Sequence, residues 1–333
     1  MNAGRRYPVL IALLAVLTLA LFLLSLTIGP AGIAFAESMK ALFSDKADGV
    51  ALIMREIRLP RALLGLMIGA TLGLSGAVLQ GYLRNPLAEP GLLGISASAS
   101  LGAVLAIYTG LSAAFLLALP LAALAGAVAA VLVVQAIAGQ RGGALLVILA
   151  GIAISSFAGA MTSLALNLSP NPFAAVEIMF WMLGSLTDRS MTHVWLAAPF
   201  MLVGWAMLGS LGRALDALTL GSETAATMGV ELRKVQFLAV FGTAAGVGAA
   251  TAVAGAIGFV GLVVPHILRP LVGARPSRLL PASALGGASM VLAADTLVRI
   301  LAPERDLKLG VLTAIVGAPF FLWLVFRTRR SLL

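Results

Sequence analysis

The feature that most constrains this chain is the recurrence of apolar segments of bilayer length. Ten can be marked, at roughly 8–28, 61–82, 92–110, 113–138, 145–167, 193–211, 235–256, 258–273, 279–300 and 308–328. A bilayer core of about 30 Å takes about 20 helical residues to cross. A helix is also one of only two backbone forms that satisfy their own polar groups in lipid. Of the 333 residues 61% are hydrophobic and 11% charged, against about 45–50% and about 25% in soluble domains. A soluble globular fold is excluded. The expected fold is an all-α polytopic membrane protein of ten transmembrane helices in a single domain, 1–333. The least regular span is 258–273, which contains Gly258, Gly261 and Pro265. Residues 31–57 read as an amphipathic, helical connection on the membrane surface, and 172–184 as a short helix that does not cross. Arg5 and Arg6 precede an apolar run, and Ala34-Phe35-Ala36 resembles a signal-peptidase site. The run Val9–Ile28 is longer than the 7–15 residues, about, of a signal-peptide core, so it reads as an uncleaved first span.

Charge sets the expected orientation. With ten spans both termini share a side, together with Arg84, Arg141 and the loops 212–234 and 269–278. That side holds thirteen basic residues against four acids, Glu89, Asp216, Glu223 and Glu231, so the whole net charge of +9 lies there. The positive-inside rule makes it cytoplasmic, with both termini on that side. The basic residues are scattered over short loops, so nucleic acid is not an expected partner. The chain has no cysteine and only two histidines, His193 and His266, which leaves no thiolate site and no histidine cluster for a metal. Its four lysines, Lys40, Lys46, Lys234 and Lys308, follow Met, Asp, Arg and Leu, so there is no phosphate-binding loop. No charge is expected mid-span, which argues against an ion-coupled secondary transporter, the alternative reading. Asp295 lies four residues from Arg299, the spacing of a local helical pair. A membrane-embedded enzyme would need a polar catalytic cluster within the spans, and none is visible.

Between two apolar segments stands Arg84-Asn-Pro-Leu-Ala-Glu-Pro-Gly-Leu-Leu-Gly94, with two prolines, two glycines, an amide and two opposite charges. A simple turn needs fewer special residues. Non-helical backbone at membrane depth is tolerated only where protein buries it or it lines a wet path. An internal echo accompanies this run. Ser75-Gly-Ala-Val78 resembles Ala254-Gly-Ala-Ile257, and each precedes a Gly/Pro-broken segment, 84–94 and 258–265. One host span runs inward and the other outward, which suggests an inverted repeat of the kind that marks transporters. Gly65, Gly69 and Gly73 in one span, and Gly242 and Gly246 in another, have helical spacing suited to close packing in lipid.

The long loop 212–234 reads as two short helices. Gly221 ends the first, Ser222 N-caps the second with Glu223 in its first turn, and Gly229 ends it. The pair is either a docking knob for a cytosolic partner or an ordinary amphipathic loop. On the opposite face Arg58-Leu-Pro-Arg61 opens a span at Pro60 and Arg299 ends another. Arginines there either anchor the membrane interface or pair with a partner's carboxylates.

These blocks carry a resemblance. Arg58-Leu-Pro-Arg61, Ser75-Gly-Ala-Val-Leu-Gln-Gly81 and Arg84–Gly94 are similar to the FecCD family, the permease subunits of ABC importers for ferric siderophores, haem and vitamin B12. Leu218-Thr-Leu-Gly221 with Ala225, Ala226, Met228 and Gly229 resembles its coupling segment. Gly255-Ala-Ile-Gly-Phe-Val-Gly-Leu-Val-Val-Pro-His266, Asp295 with Arg299, Leu309-Gly-Val-Leu-Thr313 and Gly317-Ala-Pro-Phe320 extend the match over nearly the whole chain. The resemblance implies a vitamin B12 importer permease-like fold with ten spans, and a homodimer with the path between subunits. It implies two ATP-binding subunits, carrying ATP and Mg, at the cytoplasmic face and a periplasmic substrate-binding protein outside. The chain itself would then bind no cofactor and catalyse no reaction. By the same likeness Arg58, Arg61 and Arg299 pair with binding-protein glutamates, and Asn85 and Leu87 belong to the cytoplasmic gate. Gly142 and Gly143 fall where a second gate loop lies. Leu218, Gly221, Ser222, Glu223, Ala225, Ala226, Met228 and Gly229 couple to the ATPase, and His266 is structural. The implied cargo is an iron chelate (siderophore or haem) or cobalamin.

Overall fold

The computed structural model describes residues 3–29, 32–44, 48–115, 117–139, 143–169, 171–302 and 307–330. Among these residues there is no strand. Helix α1 (Ala3–Thr27) leads to two short helices, α2 (Phe35–Phe43) and α3 (Gly49–Leu52). A π-helical stretch, Ile53–Arg58, then runs directly into α4 (Leu59–Tyr82). There follow α5 (Ile95–Tyr108), α6 (Ala118–Ala138), α7 (Ala144–Asn167), α8 (Pro172–Met182) and α9 (Met191–Gly209). The short helices α10 (Gly212–Leu218) and α11 (Ser222–Thr227) precede α12 (Leu232–Ala254), α13 (Val260–Leu268), α14 (Pro276–Leu301) and α15 (Leu309–Arg330).

Eight helices among the described residues are long and apolar enough to cross a bilayer. The expected spans 92–110 and 258–273 are not of full length. The first is α5, and the second is α13 with a 3-10 continuation, Arg269–Val272. Each reaches only about 21 Å at the rises of the two helix types, short of a bilayer core of about 30 Å. The ten expected spans are therefore eight long helices and two short ones, and a non-helical stretch precedes each short one. Residues 172–182 form the expected short helix.

The 61–82 span starts earlier than Pro60 suggests. Helix extends from Gly49 through Tyr82, and Pro60 stands just after the π-helical turn. Proline has no N–H and its ring crowds the carbonyl four residues back. A widened turn before it relieves that crowding, so Pro60 does not mark the helix start.

α4 and α12 form the centre of the bundle, while α1, α7 and α15 are the least covered long helices. Glycine explains the position of α4. A Cβ on Gly69 would stand 2.3 Å from the Gly287 carbonyl oxygen, and one on Gly73 would stand 1.9 Å from that of Ser283. Only hydrogen at these sites lets α14 approach so closely, the packing mode of helices in lipid. Hydroxyls join the neighbouring helices, α9 to α4 and α1 to α14. Trp205 Nε1 donates to Thr71 Oγ1 at 2.8 Å, and Thr18 Oγ1 lies 2.8 Å from Ser289 Oγ.

Gly73→Ala should therefore destabilise the protein by about 1–3 kcal/mol or more, because a backbone atom must move. Gly209→Ala, where a methyl would meet nothing within 4 Å, should stay within about 0.5 kcal/mol of wild type. Thermal unfolding in detergent compares the two; equal midpoints would overturn the close-packing account.

Candidate functional site: two broken segments that meet inside the bundle

α4 ends where the broken run begins. The Arg84 N–H donates to the Gly81 carbonyl at 3.4 Å and the Asn85 N–H to that of Gln80 at 3.2 Å, with Arg84 at φ 47°. This is the Schellman pattern that ends helices, built here on arginine instead of the usual glycine. Asn85 Oδ1 then accepts from the Leu87 N–H at 2.9 Å, and the Asn85 carbonyl from the Ala88 N–H at 3.1 Å. Asn85 and Leu87 thus share one turn, closed by the asparagine side chain. A 3-10 turn over Pro90–Leu93 leads to Gly94, which opens α5. The run does not stay at the surface. A Cβ on Gly151 would stand 2.0 Å from the Leu92 carbonyl oxygen, and Gly151 lies seven residues into α7, about 10 Å along it.

The second break lies between α12 and α13. Gly255 stands at φ 72° and Phe259, unusual for a bulky residue, at φ 67°. The breaks touch. The Gly261 carbonyl oxygen lies 1.9 Å from where a Cβ of Gly76 would be, and Pro90 Cδ lies 2.7 Å from where a Cβ of Gly261 would be. Gln80 Nε2 donates to the Gly261 and Leu262 carbonyls at 3.4 and 3.3 Å, and its Oε1 accepts from Arg269 Nη2 at 2.8 Å. The Glu89 carboxylate faces the Phe259 main chain. On the far side, a Cβ on Gly317 would stand 2.2 Å from Phe259 Cβ. Gly317 is eight residues into α15, about 12 Å along it. At that depth Gly258 is exposed, with Ala256 and Ile257 half-buried.

Glu89, counted with the charges of the basic face, sits half-buried beside the second break. One expectation changes here. The echoed tetrapeptides are not structurally equivalent. Ser75–Val78 lies within buried α4, whereas Ala254–Ile257 is itself the break, because Gly255 at φ 72° opens the backbone.

At the basic end, a cleft of about 500 Å³ is lined by Arg84, Gly143, Leu218, Ser222 and their neighbours. It brings the two expected gate segments and the 212–234 loop together. Gly143 is the extended N-cap of α7; Gly142 lies outside the described residues. The loop forms two short helices, as expected. Gly221, at φ 108°, is itself the N-cap of α11, and Ser222 is the first helical residue, without the expected side-chain cap. Glycine takes the cap because that φ suits no side chain. Gly229 closes α11, with Gly229 and Val230 N–H groups on the Ala226 and Ala225 carbonyls at 3.0 Å. Leu218 and Ala225 anchor the pair by burial, while Glu223, Ala226 and Met228 are exposed.

α10 is pinned from a distance. Asp216 Oδ1 accepts from the Ser277 N–H at 2.8 Å, and Oδ2 from Arg275 Nε at 3.0 Å. Partial burial acts to raise the Asp216 pKa, but the bonds from Ser277 and the Arg275 guanidinium outweigh it and hold it below the usual value. Sequence reading missed this residue, because its partners lie about sixty positions away with no periodic signal.

The opposite end holds Arg58, Arg61 and Arg299. Arg61 Nη2 lies 2.9 Å from Asp295 Oδ1 and Arg299 Nη2 lies 2.8 Å from Oδ2, so the expected local pair exists and Arg61 makes it a triad. Arg299 Nη1 also donates to the Ser25 and Ile28 carbonyls at 2.8 and 2.7 Å, and Arg58 Nη1 to those of Leu26 and Thr27 at 3.0 and 2.9 Å. The last carbonyls of a helix lack partners within it, and two arginines supply them for α1. Arg58 is only 4% exposed and faces the end of α1. Arg61 and Arg299 keep 16% and 9% of their side chains exposed.

The FecCD transport family model matches residues 17–327. The chain is 38% identical over 326 residues to the Fe(3+) dicitrate transport system permease protein FecD of Escherichia coli K12, covering 96% of this chain and 99% of that one. It is 38% identical to the hemin transport system permease protein HmuU of Yersinia pestis, covering 94% and 95%. It is 41% identical to the cobalamin import system permease protein BtuC of Halobacterium salinarum, covering 82% and 73%. A solved inward-facing structure of a metal-chelate type ABC transporter superposes with a TM-score of 0.85 at 31% identity, covering 96% and 99%.

Removing Asp295 leaves two facing arginines. Asp295→Asn should lower stability by about 2–4 kcal/mol, read as a drop in the unfolding midpoint. Asp216→Asn should lose about 1–2 kcal/mol at neutral pH. Because the folded pKa is depressed, that contribution is present above the unfolded value of about 3.9. It fades as pH falls through the folded value, so wild type and variant should converge in acid. A constant gap down to the acid limit would exclude the ionic account.

Proposed function

We propose that this chain, which belongs to the FecCD transport family, works as one half of a transmembrane path. It is a multi-pass membrane protein and a permease subunit of an ATP-binding-cassette importer. The rest of the assembly is our inference. Two copies face each other, two ATP-hydrolysing subunits dock at the basic, cytoplasmic face, and a soluble binding protein delivers cargo at the opposite face of a bacterial inner membrane. The cargo is an iron chelate or a cobalamin, in keeping with the citrate, hemin and cobalamin systems of the relatives.

The observation that carries this reading is the exposed break at Gly258. Polar backbone well inside a bilayer must be covered by protein or line water, and one chain leaves it open. A second copy across a wet path would meet that need. The 84–94 turn, with Asn85 and Leu87, lies between this break and the cleft beneath it. It is therefore suited to gate the path, with Gly143 across the cleft from Arg84. The exposed faces of Glu223, Ala226 and Met228 suit contact with an ATPase. Arg61 and Arg299 remain accessible enough to meet carboxylates of a binding protein.

Reconstitution in proteoliposomes with the ATPase and binding protein should give uptake that requires all three components and ATP. Gradient-driven uptake by this chain alone would instead establish an ion-coupled carrier. In the same system Ala226→Leu should separate ATP hydrolysis from uptake, with uptake falling about tenfold or more while hydrolysis persists. Unchanged coupling would move the docking surface elsewhere.

A further inference from the structure

Exposure leaves Arg61 and Arg299 both within reach of a partner, but the bonds they already make divide them. A guanidinium has five N–H donors and no acceptor. Arg299 has used all of them. Its Nε donates to the Asp295 carbonyl at 3.4 Å, Nη1 to the Ser25 and Ile28 carbonyls, and Nη2 to Ser25 Oγ at 2.6 Å and to Asp295 Oδ2. Arg58 spends Nη1 on the Leu26 and Thr27 carbonyls of α1, and its Nη2 is buried. Arg61 differs. Nε and Nη2 grip the Asp295 carboxylate along one edge of the guanidinium. Nη1 has no partner among the described residues, and it is not sealed in as Arg58 Nη2 is. The Nη1–Nη2 edge is therefore open, and it can take a second carboxylate through two parallel bonds.

Charge points the same way. Three guanidinium groups share the single Asp295 carboxylate, which leaves an excess of positive charge. The neighbouring Glu56 is exposed and pairs with none of the three among the described residues. Arg61 stands in the first turn of α4, one of the two helices at the centre of the bundle. That position opens onto the end of the protein and not onto its lipid-facing rim, which favours a protein partner over a headgroup. We propose that an acidic partner docks at this end through Arg61 alone, with a carboxylate on the Nη1–Nη2 edge, while Arg58 and Arg299 are struts that hold the end of α1. Freeing Arg299 to meet a partner would strip the Ser25 and Ile28 carbonyls of the donor that a helix end needs. The proposal rests on the reading of an importer fed by a soluble binding protein, and it divides the roles of the arginines within that reading.

The probe is the soluble binding protein that supports ATP-dependent uptake in proteoliposomes. Its docking to the full chain in lipid nanodiscs is followed by biolayer interferometry at about 0.15 M salt. If no binding protein supports uptake, the importer reading fails and this proposal with it. Where uptake is supported, Arg61→Gln should weaken docking about thirtyfold or more, as for loss of one partner of a close charge pair. Arg61→Lys should weaken it about tenfold, because lysine keeps the charge and loses the fork. Arg299→Gln should lower the unfolding midpoint yet leave docking within about threefold of wild type. If that variant does not fold, Arg299→Lys, which keeps the charge and part of the bonding, gives the same comparison. Equal losses at Arg61 and Arg299, or docking undiminished in Arg61→Gln, would overturn the proposal with uptake still intact. Selective retention of phosphatidylglycerol over phosphatidylcholine that disappears in Arg61→Gln, with docking unchanged, would also overturn it and assign the open edge to an anionic lipid.

Discussion

A carbonyl or amide without a partner inside a bilayer costs several kcal/mol, and this chain carries two stretches of non-helical backbone into that environment. Most of the fold's unusual geometry follows from meeting that demand. The breaks are stacked on each other, so that Gly261 packs against Gly76 and Pro90 and receives the Gln80 amide. Glu89, from the first break, lies against the main chain of the second. Ser185, just beyond α8, donates to the Ala254 carbonyl at 2.7 Å. Part of the second break is left uncovered, and that opening is where the functional reading begins.

The two breaks also explain the two short helices. α5 and α13 need not cross unaided, because the chain has already entered the bundle before each one starts. α4 is the post against which these pieces are set. Glycine lets α14 approach it on one face and Gly261 on another, while Gln80 at its end reaches Arg269. Polar locks hold the bundle at both ends. Arg58 and Arg299 close the terminal carbonyls of α1 at one end, and Asp216 fastens α10 to the start of α14 at the other. The broken middle lies between two fixed ends.

Phe259 and Arg84 occupy left-handed backbone conformations that non-glycine residues rarely adopt, and each stands at a break. Such positions persist only where the surroundings enforce them. Phe259 is packed tightly against Gly317 on α15 and faces Glu89 on the first break. It therefore ties the turn that holds Asn85 and Leu87 to a long helix whose outer face is largely open. Movement of one would be felt by the other through direct contact.

Apolar runs, glycine spacing and charge sign are local or additive properties. They sufficed to read the helical membrane class, the positions of the long helices, the two short helices of the 212–234 loop and the family motifs. The broken character of 84–94 was equally plain, since proline and glycine act on their own backbone. Partnerships across long separations were not legible. Nothing in the order of residues joins Arg61 to Asp295, Asp216 to Ser277 or Glu89 to Phe259, and a left-handed Arg84 or Phe259 has no signature of its own. The inward turn of Arg58 and the entry of Glu89 into the bundle were decided only by tertiary structure. There, unsatisfied carbonyls and amides exposed by helix ends and breaks find the nearest side chain that can bond them.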